Sequence, residues 1–481
     1  MSDRLFEMEA DEFGPSPAEP IRHTKRFNDL PAREQLAFAP RCTDEFVADD
    51  APVRALDEIM AGLDYSAFEE RYGGGGRPAW PPKLMCKLLL FGYSQGIRSA
   101  REISRRLERD LHFMWLAHEQ RIDHQRLSEF RRSFADQLRE LFVQTVRLAL
   151  EMGMTTLELV AIDGSKIAAN AGRRTFNAEE LEQAIERVLA EAEATDEAED
   201  AEHGTARGDE LPAELADRQR RLKKLQEAQQ ALAQSKQKRV SVSDPEAPTQ
   251  KIHGDKRPGY NPQIAVDQES GVIVAQDVTG DQKDNEQFGP LAEQTLDNTG
   301  FKPQATVSDR GYQSGENLRA ADGLELNAFI AQQSPPESER FGQDDFDYDA
   351  AADEFTCPAG KRLSFRRVHR GEGQPQRLYA TCADDCRGCP LRARCLSAKA
   401  KRRELYISEH AELTRRMRER LDTDEGRSAM SRRGQTVEPV FGVFKSVLGL
   451  RQFLLRGLSG ARVEWTLCAT ALNLRKLAAA C

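Results

Sequence analysis

The stretch Leu157–Asn170, LELVAIDGSKIAAN, decides how this chain is read. Four apolar residues, Leu159 to Ile162, lead directly into Asp163, and Gly164 and Ser165 then break the run. A short apolar run bounded by turn residues reads as a buried strand. Here it delivers a carboxylate at its C-terminal end. The pattern recurs at Ala305–Ser308, which ends at Asp309 and is followed by Arg310-Gly311-Tyr312. A third acid, Glu438, opens an amphipathic helical pattern near the C-terminus. One such acid carries little weight, because Asp before Gly commonly just ends a strand in a turn. Asp267 and Asp277 are read that way.

Working outward, Ile264–Asp267 and Val272–Val278 flank Glu269-Ser270-Gly271, a hairpin signal. Asp284 or Asn285 can cap a helix over 286–298, closed by Gly300. A helix over 315–321 and a strand over 326–331 follow. Strands alternating with helices predict a mixed sheet with helices packed on it, an α/β domain.

Between the first two strands, residues 177–238 read as an antiparallel pair of helices, with Leu181, Ile185, Val188 and Leu189 on one stripe and Leu211, Leu215, Leu222, Leu225 and Leu232 on the other. Its centre, 191–210, is acidic and poor in apolar residues, which predicts a mobile tip. Upstream, apolar spacing predicts helices from Pro52, over 83–93, from an N-cap at Ser99, and over 124–135 and 137–152. Eleven arginines lie between Arg98 and Arg147 against eight acids. Short helices with arginines near their starts fit a helix-turn-helix DNA reader. A helical bundle with a solvated charged surface is the alternative. The C-terminal helical pattern covers 413–421 and 437–477, with a break near Gly457–Gly460.

Net charge is −10, but residues 177–210 alone hold thirteen acidic and two basic side chains. Residues 392–456 hold sixteen basic and eight acidic ones. A polyanionic partner is therefore compatible with the sum. No run approaches the 18 or more apolar residues of a membrane span, and the acidic N-terminus has no signal-like apolar region. A cytoplasmic, nucleoid-associated protein is expected.

Five of nine cysteines fall between Cys357 and Cys395. Cys386-Arg-Gly-Cys389 with outlying Cys357 and Cys395 fits tetrahedral zinc, with Cys382 as spare or substitute. An iron–sulfur cluster or free structural thiols are the alternatives. Cys42, Cys86, Cys468 and Cys481 read as packing or terminal residues. The cysteine segment is expected to have little core of its own.

Carboxylates from separate elements are the usual ligands of hard divalent cations, and two such ions can drive phosphoryl transfer. Local text raises Asp163, Asp309 and Glu438 above turn residues. AIDGSKIAANAGRRTF, SDRGYQSGENL and RRGQTVEPVFGVFKSVLGLRQFLLRGL stand in order along the chain. They resemble the three catalytic blocks of the DDE-type transposases of bacterial insertion sequences. GYNPQIAVD and VIVAQDVTGDQKD resemble that family's intervening strands, and YGGGGRPAWPPKLMCKLLLFGYSQGIRSAREI its N-terminal helical domain. The resemblance implies a ribonuclease-H-like catalytic domain in which Asp163, Asp309 and Glu438 hold Mg²⁺ or Mn²⁺. It places Arg433 and Lys445 on DNA phosphate, with Arg310 beside them. The family's tyrosine is replaced by Met430, and RIDHQRLSEFRR departs from the family's usual turn while keeping Asp123 and His124.

The implied activity is binding of an element's terminal inverted repeats, metal-dependent cleavage, and joining of the 3′-hydroxyl to target DNA. The implied partners are double-stranded DNA and a second copy of the chain. A DNA-binding protein without catalysis is the alternative. The expected organisation is a mobile arm at 1–50, a helical DNA-binding domain at 51–153 and a catalytic domain at 154–176, 239–335 and 400–481. A helical insertion at 177–238 and a cysteine-rich one at 336–399 complete it.

Overall fold

The computed structural model describes residues 42–72, 79–203, 213–235, 237–333, 340–370 and 375–480. Its first part is helical: Pro52–Ala61, Ser66–Glu69, Pro82–Ser94, Ala100–Arg106, Leu111–Leu116, His124–Ser133 and Ala135–Glu151. Proline opens the first and third of these, where its missing N–H costs nothing. Ser99 accepts from the Glu102 amide at 3.4 Å and Asp123 from the Gln125 amide at 2.6 Å, fixing two other starts. Leu111–Leu116 escaped the sequence reading because six residues are too few to show a period.

Most of the expected mobile arm, residues 1–41, lies outside the described residues. Its end is docked rather than mobile. Asp44 accepts from Trp115 Nε1 at 2.7 Å and from Arg54 at 2.8 Å, and Val47 is buried.

The main sheet contains β1 (Leu159–Gly164), β2 (Ile167–Ala168), β3 (Thr249–Ile252), β4 (Asp255–Asp267), β5 (Ile273–Thr279), β6 (Ala305–Ser308) and β7 (Ala328–Ile330). The long β4 is its centre. It pairs antiparallel with β1, β2, β3 and β5, while β1, β6 and β7 run parallel to one another. The order through the body of the sheet is therefore β5-β4-β1-β6-β7. The helix Gly457–Ala480 covers β5 and is buried on most of its faces. Asn473 locks it there, accepting from the Ile273 amide and donating to the Ile273 carbonyl, both at 2.9 Å. That contact satisfies a backbone pair that water would otherwise need to reach.

One hydrophobic core runs from Val53 and Leu89 through Ile162 and Val266 to Trp465 and Leu477. The helical region and the sheet thus share a core across the expected boundary at 153. The reason is the C-terminal helix, which packs against both.

The insertion forms the two expected helices, Ala178–His203 and Ala213–Gln234. Leu181, Ala184 and Val188 meet Leu225, Ala228 and Leu232 in a separate small core. Asn177 and Glu180 accept from each other's amides at 2.8 and 3.0 Å, a capping box at the first helix start. The acidic segment expected to be a mobile tip continues that helix as far as His203, and its remainder, with Leu211, lies outside the described residues. Alanine and glutamate are strong helix formers even without an apolar face.

The cysteine region has more structure than expected. Strands β8 (Asp347–Asp349), β9 (Glu354–Thr356), β10 (Arg362–His369), β11 (Gln376–Ala380) and β12 (Glu404–Ser408) form an antiparallel sheet. Phe346, Phe355, Leu363, Tyr379, Leu405 and Ile407 make its own core. Because β12 belongs here, this unit extends past the expected limit at 399.

Helices Ala411–Leu421 and Asp424–Gly442 follow, with a π-turn at Val443–Val447. Thr423 accepts from the Gly426 amide at 3.1 Å and starts the second. Glu438 therefore lies near the end of a 19-residue helix, not at its opening. The apolar pattern missed the polar first three turns. The interruption falls at 448–456, before Gly457 rather than within Gly457–Gly460.

Candidate active site

Strands β1 and β6 are parallel neighbours, with Ile162 opposite Ser308. The next residues, Asp163 within β1 and Asp309 just after β6, therefore lie at the same, C-terminal ends of the two strands. Asp163 Oδ1 accepts from the Gly164 amide at 2.8 Å, and Asp309 Oδ1 accepts from the Gly311 amide at 2.7 Å. Burial pushes the Asp163 carboxyl up to about 6, and the negative charges of Asp309 and Asp284 add to that. The Gly164 amide and the Arg433 guanidinium oppose the rise. Like charges gathered in a poorly solvated place raise each other's proton affinity.

Asp284 is a third carboxylate in this group, and it was read from sequence as a helix cap. The helix instead spans Phe288–Thr299, with no side-chain cap at its start. Asp284 Oδ1 accepts from Asn261 Nδ2 at 2.7 Å and from Gln263 Nε2 at 2.8 Å. The buried Tyr312 hydroxyl donates to Gln263 Oε1. A methyl group placed on Gly311 would lie 2.9 Å from Asp309 Oδ1 and 3.1 Å from Asp284 Oδ2, so the two carboxylates converge there. The available signal was polar Asn261 and Gln263, two residues apart in a mostly apolar stretch of strand. That spacing puts both on one face.

Gly164 is demanded by this network. A Cβ there would stand 2.2 Å from Gln263 Nε2, because the glutamine crosses over the strand.

Two cations close the site from the C-terminal segment. Arg433 Nη1 donates to Asp163 Oδ2 at 3.0 Å, with both side chains mostly buried. Lys445 Nζ donates to Ser165 Oγ at 2.5 Å, and burial pulls its ammonium below the usual lysine range while Asp163 opposes that. Arg310 is exposed on the turn after β6 and makes no ion pair among the described residues.

Among the described residues Glu438 makes no hydrogen bond or ion pair with this group. It is exposed, and its Oε1 lies 3.2 Å from where a Cβ on Gly434 would be, so it folds back along its own helix. Met430, at the position of the family's tyrosine, packs against the core. Among the described residues, no group of three or more His, Cys, Asp or Glu side chains is arranged to hold a metal ion as it stands.

Cys357, Cys386, Cys389 and Cys395 line one cavity of about 20 Å³, together with Lys361, Arg392 and Arg403. That is room for one small atom or ion. Lys361 N donates to Cys357 Sγ at 3.3 Å within a turn closed by Gly360 at φ +74°. Burial pushes the Cys395 thiol up, and the other three sulfurs add to it against Arg403. Cys382 is exposed and outside the cavity. Cys86 and Cys468 are buried as expected, Cys42 is exposed, and Cys481 lies outside the described residues.

Five arginines of the helical region, Arg101, Arg109, Arg132, Arg139 and Arg147, are exposed and make no ion pair among the described residues. Arg98 and Arg131 are buried and structural: Arg98 pairs with Glu464, and Arg131 donates to Tyr93 Oη at 2.8 Å. Arg106, Arg121 and Arg126 sit at the surface beside Glu102, Asp110, Glu108 and Glu129.

Compared with known families, residues 356–478 match the transposase DDE domain, and residues 41–133 match a transposase domain of the DUF772 type. The first match takes in Arg433, Glu438, Lys445 and the cysteine cluster, and neither match reaches Asp163 or Asp309. No curated protein and no solved structure matches the chain. No helix among the described residues is long and apolar enough to cross a membrane.

Proposed function

From the premise that this chain belongs to the DDE-type transposases of insertion sequences, we propose that it binds the terminal inverted repeats of its element, hydrolyses a phosphodiester there and joins the 3′-hydroxyl to target DNA. The observation that carries this reading is the convergence of Asp163 and Asp309 at the C-terminal ends of two neighbouring parallel strands, with Arg433 on Asp163. The strand order β5-β4-β1-β6-β7, with β4 antiparallel to β1 and β5, supports a ribonuclease-H-like catalytic domain. In that reading 154–176, 239–335 and 400–481 carry catalysis, and 51–153 is a helical DNA-binding domain.

The donor set of Asp163 and Asp309 suits Mg²⁺ or Mn²⁺, because hard cations take oxygen ligands from carboxylates. A bound ion of this kind supplies an activated nucleophile and charge stabilisation at the leaving oxygen. Glu438, exposed on its helix, would be the third carboxylate of the set. Arg433 offsets the charge of Asp163 in the metal-free protein and is placed to turn to phosphate. Lys445, held by Ser165, presents its ammonium beside the same carboxylate and binds the phosphate flanking the scissile bond. The Asn261–Gln263–Tyr312 network keeps Asp284 turned toward the site.

Cys357, Cys386, Cys389 and Cys395 would hold a structural zinc, a reading supported by their shared cavity and by the amide donated to Cys357. Two copies of the chain would pair the two element ends on nucleoid DNA.

The position of Glu438 favours a second reading, a DNA-binding transposase relative without cleavage. Incubation with a fragment carrying the element ends and Mg²⁺ tests both. Cleavage by the intact protein that is lost in Asp163→Ala supports the first. Tight binding with no cleavage supports the second.

A further inference from the structure

A groove of about 1130 Å³ runs between the base of the helical insertion, the β3–β4 hairpin and the loop of Asp281–Gln287. Six cations line it: Lys166, Lys238, Arg239, Lys251, Lys256 and Lys283. Two acids face them. Asp281 is occupied by Thr279 and Gln287, and Glu286 is exposed. Arg239 is paired with Glu180. Among the described residues Lys238, Lys251, Lys256 and Lys283 are exposed and make no ion pair. In the helical region Arg106, Arg121 and Arg126 sit beside acids, whereas Arg101, Arg109, Arg132, Arg139 and Arg147 are exposed and, among the described residues, make no ion pair.

The hairpin is the telling part. Lys251 and Lys256 are direct cross-strand partners, and Gln250 is opposite Arg257. The ladder is joined by a two-residue turn, His253-Gly254, with φ of +52° and +90°. Like charges placed directly opposite each other weaken a two-stranded ladder. Among the described residues neither Lys251 nor Lys256 makes an ion pair, so this hairpin is suited to a polyanion.

Hydrogen bonds also link the groove to the acid site. Gln282 Nε2 donates to the Thr249 carbonyl at 2.8 Å, tying the hairpin base to the loop. Lys166 Nζ donates to the Gln282 carbonyl at 2.8 Å, tying that loop to the turn after β1. The neighbouring Ser165 accepts from Lys445, and Asp163 is two residues further. The same loop carries Asp284.

We infer that this groove, centred on the Lys251–Lys256 pair of the β3–β4 hairpin, carries the DNA duplex that leads away from the scissile phosphate. The inference rests on the proposed reading of the acid site and adds a DNA track outside the helical region. Contact there is with phosphates, through point charges on flexible stems, so it does not depend on base sequence.

Binding of a 40-base-pair duplex of arbitrary sequence, without divalent ions and over a range of NaCl concentrations, tests it. Lys251→Gln/Lys256→Gln should weaken binding about 10-fold or more at 100 mM NaCl. It should also lower the slope of log affinity against log salt by about 2, one per lysine. Its melting temperature should stay level or rise, since a repulsive pair is removed. A control pair outside the groove, Lys399→Gln/Lys401→Gln, makes the same charge change and should leave the slope unaltered. Equal slopes for the groove variant and the intact protein would overturn the inference, as would an equal loss in the control pair. A slope change seen only with the single-stranded form of the same DNA would also overturn it. The assay contains no cleavage step. An intact protein that binds through the groove but never cuts DNA would refute the reading of the acid site and leave the groove standing.

Discussion

Arg433 reaches across 270 positions of sequence to donate to the carboxylate of Asp163 at 3.0 Å. In the free protein a cation thus sits where the proposed reaction needs a metal and a phosphate. Replacing Arg433 by alanine should leave Asp163 beside Asp309 and Asp284 with no guanidinium. Cleavage should fall by about 100-fold, the scale of losing one charge-stabilising donor in an active site. The fold should survive, because the arginine lies at the site rather than in the core. Single-turnover cleavage assays beside a melting curve would separate the two effects. Unchanged cleavage would reject the assigned role.

The raised Asp163 carboxyl makes a pH prediction. Its folded value of about 6 lies above the ordinary 3.8. The folded state therefore binds this proton more tightly, and its contribution to stability falls as pH rises from about 4 to about 6. The loss is at most about 3 kcal/mol. Metal-free protein should melt lower at pH 7 than at pH 5 from this group, and Asp163→Asn should flatten that difference. Thermal melts across this range in a chelator, for both proteins, would check it. An identical pH profile in the variant would count against the buried carboxylate cluster.

Gly164→Ala probes the network behind the acids. The new methyl would stand 2.2 Å from Gln263 Nε2, so the amide has to leave Asp284. Overpacking of this kind costs about 1–3 kcal/mol, and cleavage should fall with it. Denaturant unfolding and cleavage measured together would show both. A variant with native stability and activity would mean that Gln263 is free to move.

The buried Arg98–Glu464 pair joins the helical region to the C-terminal helix. Arg98 also donates to the Gln452 carbonyl at 3.0 Å, and Glu464 accepts from the Leu454 and Leu455 amides at 2.8 and 2.9 Å. Removing one partner strands a buried charge, so Arg98→Ala or Glu464→Ala should cost about 3–5 kcal/mol. The double variant should cost clearly less than the sum. A strictly additive double-mutant cycle would show that the pair is not coupled.

For the cysteines, purified protein should carry one zinc per chain. Cys389→Ser should lose it and lower the melting temperature, whereas Cys382→Ser should keep both. Metal analysis finding no zinc in the intact protein would remove that reading.

The sequence by itself determined the strand leading into Asp163 and that at 305–308, the helix pair of the insertion, the helix starts at Pro52, Pro82 and Ser99, and the cysteine grouping. These are local matters, settled by apolar period, by capping side chains and by proline geometry. It could not show that Asp284 faces Asp163, because an acid before a helix has the same local appearance whether it caps the helix or turns to a site. It could not separate Arg98 and Arg131, which are core residues, from the arginines at the surface, since burial of a charge depends on partners from other elements, 33 to 366 residues away. The limits of the cysteine unit were hidden because β12 joins β11 only in space. Glu438 was legible as a residue type within the family's text, but its lack of a hydrogen bond or ion pair with the acid cluster depends on how its helix packs. The Lys251–Lys256 opposition depends on strand register, which only the folded hairpin fixes. Local chemistry is written along the chain, whereas the meeting of charges is a property of the packed sheet and the helices that cover it.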